Sequence, residues 1–310
     1  LQVNSGKVNI PKTVFTSNLR QLRRDIKALN VSDYDLVVSD FEPVSAWAAK
    51  LADVPSIGIS HQSAFHYPIP KRANNPITQL FMRWFAPVKQ AVGVHWHHFN
   101  QPLLPPIVEP IHAQLQNCAG KILVYLPFRE LKEILALLSP VGEADFYIYH
   151  KDAEHQDRGH LHLRRFSRDG FQRDLHSAEG VICSAGFELP SEALQLGKKI
   201  LAEPVARQME QQSNALALDL LGYATTAVNI EARHITQWLL EPRREAIAYP
   251  DVAAALARWI ATGCDQPLEA LSLALWQQVD GVAAPVFTHE RQQKPSVAGS
   301  GELYRKSIVE

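Results

Sequence analysis

Cysteine is scarce in this sequence: Cys118, Cys183 and Cys264 lie far apart and none belongs to a CxxC pair. An odd, sparse set excludes a disulfide framework and fits a reducing compartment. Long apolar runs are also missing, and no stretch reaches the ~20 residues that a membrane-spanning helix needs. No signal-peptide pattern opens the sequence. The expected location is therefore the cytoplasm. An excess of charge of either sign is missing too: 31 Lys and Arg stand against 32 Asp and Glu, a net charge of −1. No global field draws such a chain to nucleic acid or to an anionic membrane. No short repeat or low-complexity block interrupts it. What remains is 310 residues, 46% hydrophobic and 20% charged, too many for one ordinary core and expected as two domains.

What is present is alternation. Leu19, Leu22, Ile26 and Leu29, at three-to-four spacing, predict a helix over 17–29. Residues 34–40 form an apolar run ending in Ser39 and Asp40, the pattern of a buried parallel strand. Pro43 suits the first turn of the next helix, and 55–60 is a second strand leading into His61 and Gln62. A loop rich in Pro and Asn follows, then an amphipathic helix over 76–90 and a strand over 91–99. The stretch 103–110, with Pro105, Pro106 and Pro110, reads as a linker. Beyond it, strands are expected at 121–126, 145–150, 160–166, 180–184, 199–203 and 223–228. Helices are expected at 129–138, 169–177, 189–196 and 210–221, with two or three more closing the second unit. This alternation implies an α/β protein with doubly wound parallel sheets. The expected division is an acceptor-side unit over 1–110, a ligand-binding unit over 111–282 and a mobile tail over 283–310. The sequence opens at Leu1 and the first unit is short of strands, so a βαβ portion is expected to precede it.

The segment after the strand at 180–184 carries the clearest chemical signal. It runs from Ser184 through Ala185, Gly186 and Phe187 into a helix bearing Glu192. In an open α/β sheet, ligands bind beyond the C-terminal ends of the strands. A helix N-terminus offers unpaired N–H groups and positive partial charge to a phosphate, and Gly186 lets that phosphate approach the backbone. Glu192, about one turn into the helix, suits a pair of ribose hydroxyls. The competing reading is a plain strand-to-helix turn with a solvated Glu192. The next unit weighs against it, because the strand at 199–203 leads through Pro204 to Glu210, Gln211 and Asn214 at the neighbouring sheet edge. Carboxylates and amides together recognise sugar hydroxyls. In the front unit, Asp40, Glu42 and His61 follow consecutive strands, and each is a residue type that takes a proton from a hydroxyl. Asp40 and His61 rank ahead of Glu42. The competing readings are a helix N-cap for Asp40 and a structural hydrogen bond for His61.

The order SAG-x5-E, GKK, EQxxNA and LGYA, spread over residues 174–224, resembles the C-terminal domain of GT-B glycosyltransferases. Within that group it is similar to the MurG-type (family 28) enzymes and to a teichoic-acid-biosynthesis-like branch. The resemblance implies two Rossmann-like domains facing a cleft, the first incomplete in this sequence. It implies that Ser184, Ala185, Gly186 and Phe187 hold a diphosphate, Glu192 a ribose, and Glu210 and Gln211 the donor sugar. Asn214 matches the Asn of the family's Q-x-x-N-A. Phe187 departs from the family, which has a small residue there. His61-Gln62 resembles the family's H-E-Q-N stretch near the acceptor, with Gln in place of Glu. The implied reaction is an inverting, metal-independent transfer, with no cofactor. It moves sugar from a nucleotide-sugar, expected to be a UDP-sugar, to a hydroxyl of a sugar or lipid-linked acceptor in cell-envelope glycan synthesis. The Gly-rich loop with which such enzymes open has no counterpart in the sequence. Two alternatives therefore stay open: a nucleotide-sugar 2-epimerase of the same fold, and a non-catalytic nucleotide-sugar-binding subunit.

Weaker signals remain. His95-Trp96-His97-His98 invites a metal reading, but strand alternation would split the histidines between two faces, and a domain-edge strand is preferred. The helix at 76–90, with Trp84, Phe85 and Val88 beside Lys71 and Arg72, reads as core packing; the alternative is a peripheral contact with a membrane. Tyr147, Tyr149 and Phe166 are candidates for a base pocket or for plain core.

Overall fold

The computed structural model describes residues 3–4, 7–8, 19–72, 84–111 and 117–282. The expected tail and most of the expected helix at 76–90 lie outside the described residues. A short antiparallel pair, β1 (Val3–Asn4) and β2 (Lys7–Val8), comes first. The helix α1 (Leu19–Ala28) leads to β3 (Val37–Ser39), α2 (Pro43–Leu51) and β4 (Ser56–Ser60). A 3-10 turn, Gln62–His66, follows, and then β5 (Gln90–Gly93). These three strands form a parallel sheet in the order β3-β4-β5, with Ser39 opposite Gly58 and Ser60 opposite Gly93.

A seven-stranded sheet forms the second layer. It is built from β6 (Lys121–Tyr125), α3 (Leu131–Leu138), β7 (Asp145–Tyr149), β8 (Gln156–Arg158), β9 (Leu161–Arg164) and α4 (Arg168–Ser177). It continues with β10 (Gly180–Ser184), α5 (Glu188–Gln195), β11 (Lys199–Glu203), α6 (Met209–Leu220), β12 (Thr225–Thr226) and α7 (Ala232–Leu239). The strand order is β12-β11-β10-β6-β7-β9-β8, and only β8 runs antiparallel to its neighbour.

Side-chain alternation sorts the helices between the faces of this sheet. Val124, Ile182 and Leu201 point to one face, where Ile134 and Leu138 of α3 and Ile235 and Trp238 of α7 cover them. Leu123, Val181 and Ile200 point to the other, against Leu175 of α4, Leu194 of α5 and Leu218 of α6. The crossovers therefore leave β6 and β10 on opposite faces. Their carboxyl ends flank a topological switch point, the place where open α/β sheets bind ligands.

Five features differ from the sequence reading. The helix expected to run to residue 90 ends early, because Gln90 already belongs to β5. The strand expected over 91–99 stops at Gly93. His97 Nδ1 accepts the Phe99 N–H and His98 Nδ1 accepts the Asn100 N–H, each at 2.9 Å. Phe99 and Asn100 sit at φ of 49° and 53°, a left-handed turn rather than a strand. The polar strand β8 carries no apolar signal and went unforeseen. The strand expected over 223–228 is cut to Thr225–Thr226. Finally, the closing helices do not all join the second sheet. Helices α8 (Val252–Ala261) and α9 (Leu268–Trp276) return to the first. Leu256, Trp259, Leu271 and Leu275 pack there on Ile57, Val92, Val94 and Leu104. The Ser272 hydroxyl and the Trp276 indole N–H both donate to the Leu103 carbonyl, at 2.6 and 2.7 Å.

Candidate active site

The switch point between β6 and β10 is flanked by residues 126–130 and 185–187. The second segment is a tight turn, in which the Gly186 N–H donates to the Ser184 carbonyl at 2.8 Å and the Ala185 N–H to the Glu203 carbonyl at 3.0 Å. Phe187 is the N-cap residue of α5, yet no side chain caps this helix. A Cβ built on Gly186 would meet no atom within 4 Å. Unpaired helix N–H groups thus stand beside open space, the local chemistry of an anion site.

The first segment brings in Arg129, which the sequence reading missed. Its Nε donates to Glu203 Oε2 at 2.7 Å, and its Nη2 donates to Glu203 Oε1 and to the Ile230 carbonyl. Glu203 also accepts the Ile230 N–H at 2.9 Å. A fixed guanidinium therefore sits between the ends of β6 and β11. The order of strands in the sheet would have revealed it; residue spacing alone does not. The lysines of the GKK segment are elsewhere. Lys199 starts β11, at the opposite edge of the sheet, where it pairs with Glu179 at 3.0 Å. Lys198 beside it donates to the His176 carbonyl at 2.7 Å.

The remaining candidates on the second unit divide by availability. Ser184 and Glu192 are half-buried. Gln172 Nε2 donates to Glu192 Oε2 at 2.9 Å, and burial raises the Glu192 pKa above the usual carboxylate value. Its Oε1 has no hydrogen bond among the described residues. Glu210 is half-buried and accepts from Gln62 Nε2 at 3.3 Å. Gln211 and Asn214, also expected among the donor contacts, are buried and bond to neighbouring parts of the fold. Gln211 Oε1 accepts the Val205 N–H at 3.0 Å. Asn214 Nδ2 donates to the Ala185 carbonyl at 3.2 Å, and its Oδ1 lies 2.7 Å from His61 Nε2. Phe187 stacks on the His61 ring, 3.9 Å between centroids and 6° from parallel. Its side chain faces the front unit. Ala185 is fully buried, so any ligand contact it makes is through the backbone.

On the front unit the three candidate bases also separate. Glu42, not Asp40, caps α2: its two carboxylate oxygens accept the N–H groups of Val44 and Ser45, both at 2.7 Å. Burial raises the Glu42 pKa, but those backbone donors outweigh it and leave the carboxyl below its usual value. A carboxylate held this way is a poor base. His61 is buried, 5% exposed. Its Nδ1 lies 3.0 Å from the Val94 carbonyl. Burial is the largest influence on its pKa and lowers it, against a partial upward pull from Glu210. Neither ring nitrogen faces open space. Asp40 is exposed and has no hydrogen bond or ion pair among the described residues. It stands at the carboxyl end of β3, beside the strand that leads into His61.

Among the described residues, no group of three or more His, Cys, Asp or Glu side chains is placed to hold a metal ion. No helix among them is long and apolar enough to cross a membrane. Phe166, 60% exposed, forms an aromatic group with Tyr125 and Phe171 beyond the ends of β6 and β9. Tyr149 is core, its hydroxyl donating to Asp174 at 2.6 Å. Tyr147 stacks on His162 and lies under Lys121.

The His61–Asn214 contact brings the carboxyl edges of the two sheets against one another. Comparison with curated proteins finds no match. Solved structures do resemble the chain. UGT89C1 of Arabidopsis thaliana, complexed with UDP-L-rhamnose, aligns with 77% of this chain over 71% of its own, at 14% identity and a TM-score of 0.51. The glycosyltransferase SnogD of Streptomyces nogalater aligns over 75% of each chain at 16% identity and a TM-score of 0.45. The fold is GT-B, with parallel α/β sheets as expected. The family described as glycosyl transferase family 1 matches residues 6–241, and the chain belongs to that family.

Proposed function

We propose that the chain transfers a sugar from a UDP-sugar to an acceptor hydroxyl in a single inverting displacement, without a metal. The observation that carries this reading is the uncapped start of α5 beside Gly186, open to ligand at the switch point between β6 and β10. The diphosphate lies beside the turn at 184–187, and the uncapped N–H groups at the start of α5 take the developing negative charge of the leaving group. Glu192 accepts the ribose hydroxyls. Glu210, the half-buried member of its pair, faces the donor sugar, while Gln211 and Asn214 hold the surrounding backbone. Asp40, exposed at the edge of the front sheet, takes the proton of the acceptor hydroxyl. The UDP-L-rhamnose bound by the Arabidopsis relative supports a nucleotide-diphosphate donor.

The MurG-type likeness extends the proposal to cell-envelope glycan synthesis in the cytoplasm, with a lipid-linked acceptor. Trp84 supports a peripheral membrane contact: it is 57% exposed and stacks on Trp47, and Lys50 lies over both rings. Aromatic and basic side chains side by side suit a lipid headgroup region.

Calorimetric titration with UDP tests the donor site. Glu192→Ala is expected to weaken binding at least about tenfold, since a hydrogen bond to a charged group contributes ~1.5–3 kcal/mol. Unchanged affinity would sink the assignment. Gly186→Ala gives a second, independent reading. The added methyl meets nothing in the free protein, so the thermal midpoint should hold while UDP affinity falls. Equal loss of both would place Gly186 in the fold rather than the site.

A further inference from the structure

We propose that His61 is a positioning residue for the phosphate turn and not the base that deprotonates the acceptor; this rests on the donor-site reading above. A line of close polar contacts runs from the end of β5 to the turn. The Val94 carbonyl lies 3.0 Å from His61 Nδ1, His61 Nε2 lies 2.7 Å from Asn214 Oδ1, and Asn214 Nδ2 donates to the Ala185 carbonyl at 3.2 Å. The same imidazole lies flat against Phe187, 3.9 Å away, and Phe65 meets its other surroundings edge-on at 5.0 Å. One ring thus fixes the turn twice, through the backbone at Ala185 and through the side chain at Phe187. Gly186, the residue between them, is the one beside open space.

The surroundings keep this arrangement rigid. Trp96 packs on Phe187 at 4.9 Å and its indole N–H donates to Ser191 at 2.7 Å. The Arg72 N–H donates to Ser213 at 3.0 Å. A helix start that binds a diphosphate through its N–H groups works only if those groups are already aimed, and here the turn that leads into α5 sets the aim. His61 belongs to the front unit and the turn to the second, so donor affinity is coupled to the seating of one unit on the other. The bulk of Phe187, where the resembling family has a small residue, acquires a purpose: it is the lever by which the front unit grips the turn. A base at this position would need a nitrogen open to the acceptor, and His61 has none.

The test separates the two roles. UDP is titrated into the full chain by calorimetry, and backbone hydrogen exchange is read at residues 185–187 without ligand. His61→Ala should weaken UDP binding about tenfold, the scale of one lost anchoring contact, and should speed exchange in the turn. His61→Gln, which keeps a side-chain N–H within reach of Asn214, should restore most of both. A base would leave UDP affinity and exchange unchanged while turnover collapsed, and that pattern overturns the proposal. If the wild-type chain binds no UDP, the donor reading falls, and the exchange measurement alone then decides whether His61 positions the turn. If His61→Ala does not fold, Phe187→Leu reads the same turn, and wild-type exchange together with wild-type UDP affinity in that variant overturns the proposal.

Discussion

Gly93→Ala should destabilise the protein by about 3 kcal/mol or more and weaken nucleotide binding as well, although residue 93 touches no proposed ligand atom. A Cβ at Gly93 would lie 2.8 Å from the Ala64 nitrogen, 2.9 Å from the Ala64 Cα and 2.7 Å from Leu103 Cδ2. Two of these are backbone atoms, so no rotamer change relieves the clash. Ala64 belongs to the 3-10 turn that begins just after His61, and the Ala64 N–H donates to the His61 carbonyl at 2.9 Å. Pushing that turn off β5 drags His61 from Asn214 and Phe187. Urea unfolding measures the first effect and UDP titration the second. Gly186→Ala is the control for the stability measurement, since the same methyl is added in open space. Equal stability of Gly93→Ala and wild type would mean that β5 and the turn are not packed as described.

Acidification from pH 7.5 to 5.5 should destabilise the protein by more than about 1 kcal/mol through two buried histidines. Burial drives the His95 pKa well below 6.5, with the neighbouring His61 and His97 pushing the same way. Burial, and then His98, lower that of His97 to about 3. Both side chains therefore stay neutral in the fold, while in the unfolded chain they take up protons below the ordinary imidazole value of 6.5. The unfolded state binds more protons throughout the window from 6.5 down to about 3, so stability is fully present above 6.5 and is lost as pH falls through it. His97 contributes about 1.4 kcal/mol per pH unit and so removes about 1.4 kcal/mol by pH 5.5, and His95 adds a loss of the same sign. That is a large share of the ~5–15 kcal/mol typical of a native protein. The urea midpoint measured across this range should fall steadily. His97→Asn should flatten the slope by about one proton, with an amide oxygen in place of Nδ1 as acceptor for the Phe99 N–H. A midpoint independent of pH in this window would show that the histidines are not held neutral.

How much of this could be read beforehand depended on how self-contained each signal was. The strands Gly180–Ser184 and Lys199–Glu203 have the bounds read from the sequence, because a buried parallel strand is written as one unbroken apolar run. Pro43 marked the start of α2 in the same local way. The parallel α/β architecture followed from the alternation of such segments. What failed depended on partners distant in sequence. His97 and His98 sit in an apolar stretch that looks like a strand, but their imidazoles bond the backbone two residues on and turn the chain. The cap of α2 went to Glu42, one residue before the proline, because its longer side chain reaches two N–H groups at once. Arg129 lies 74 residues from Glu203, and no local pattern links them. Phe187 and His61 could be named as candidates from their positions at strand ends, but nothing in either segment says that they stack on each other.

The return of α8 and α9 to the first sheet means that the chain is threaded through its two halves like a belt passed back through its own buckle. The polypeptide leaves the front half once near residue 104 and re-enters it near residue 252. No single cut frees one half from the other. A fragment ending before Val252 keeps every proposed ligand contact but strips Leu256, Trp259, Leu271 and Leu275 from Ile57, Val92 and Val94. It also removes both donors from the Leu103 carbonyl. The last helices act at a distance on the site: by clasping the front sheet from behind, they hold His61 within reach of the turn it grips.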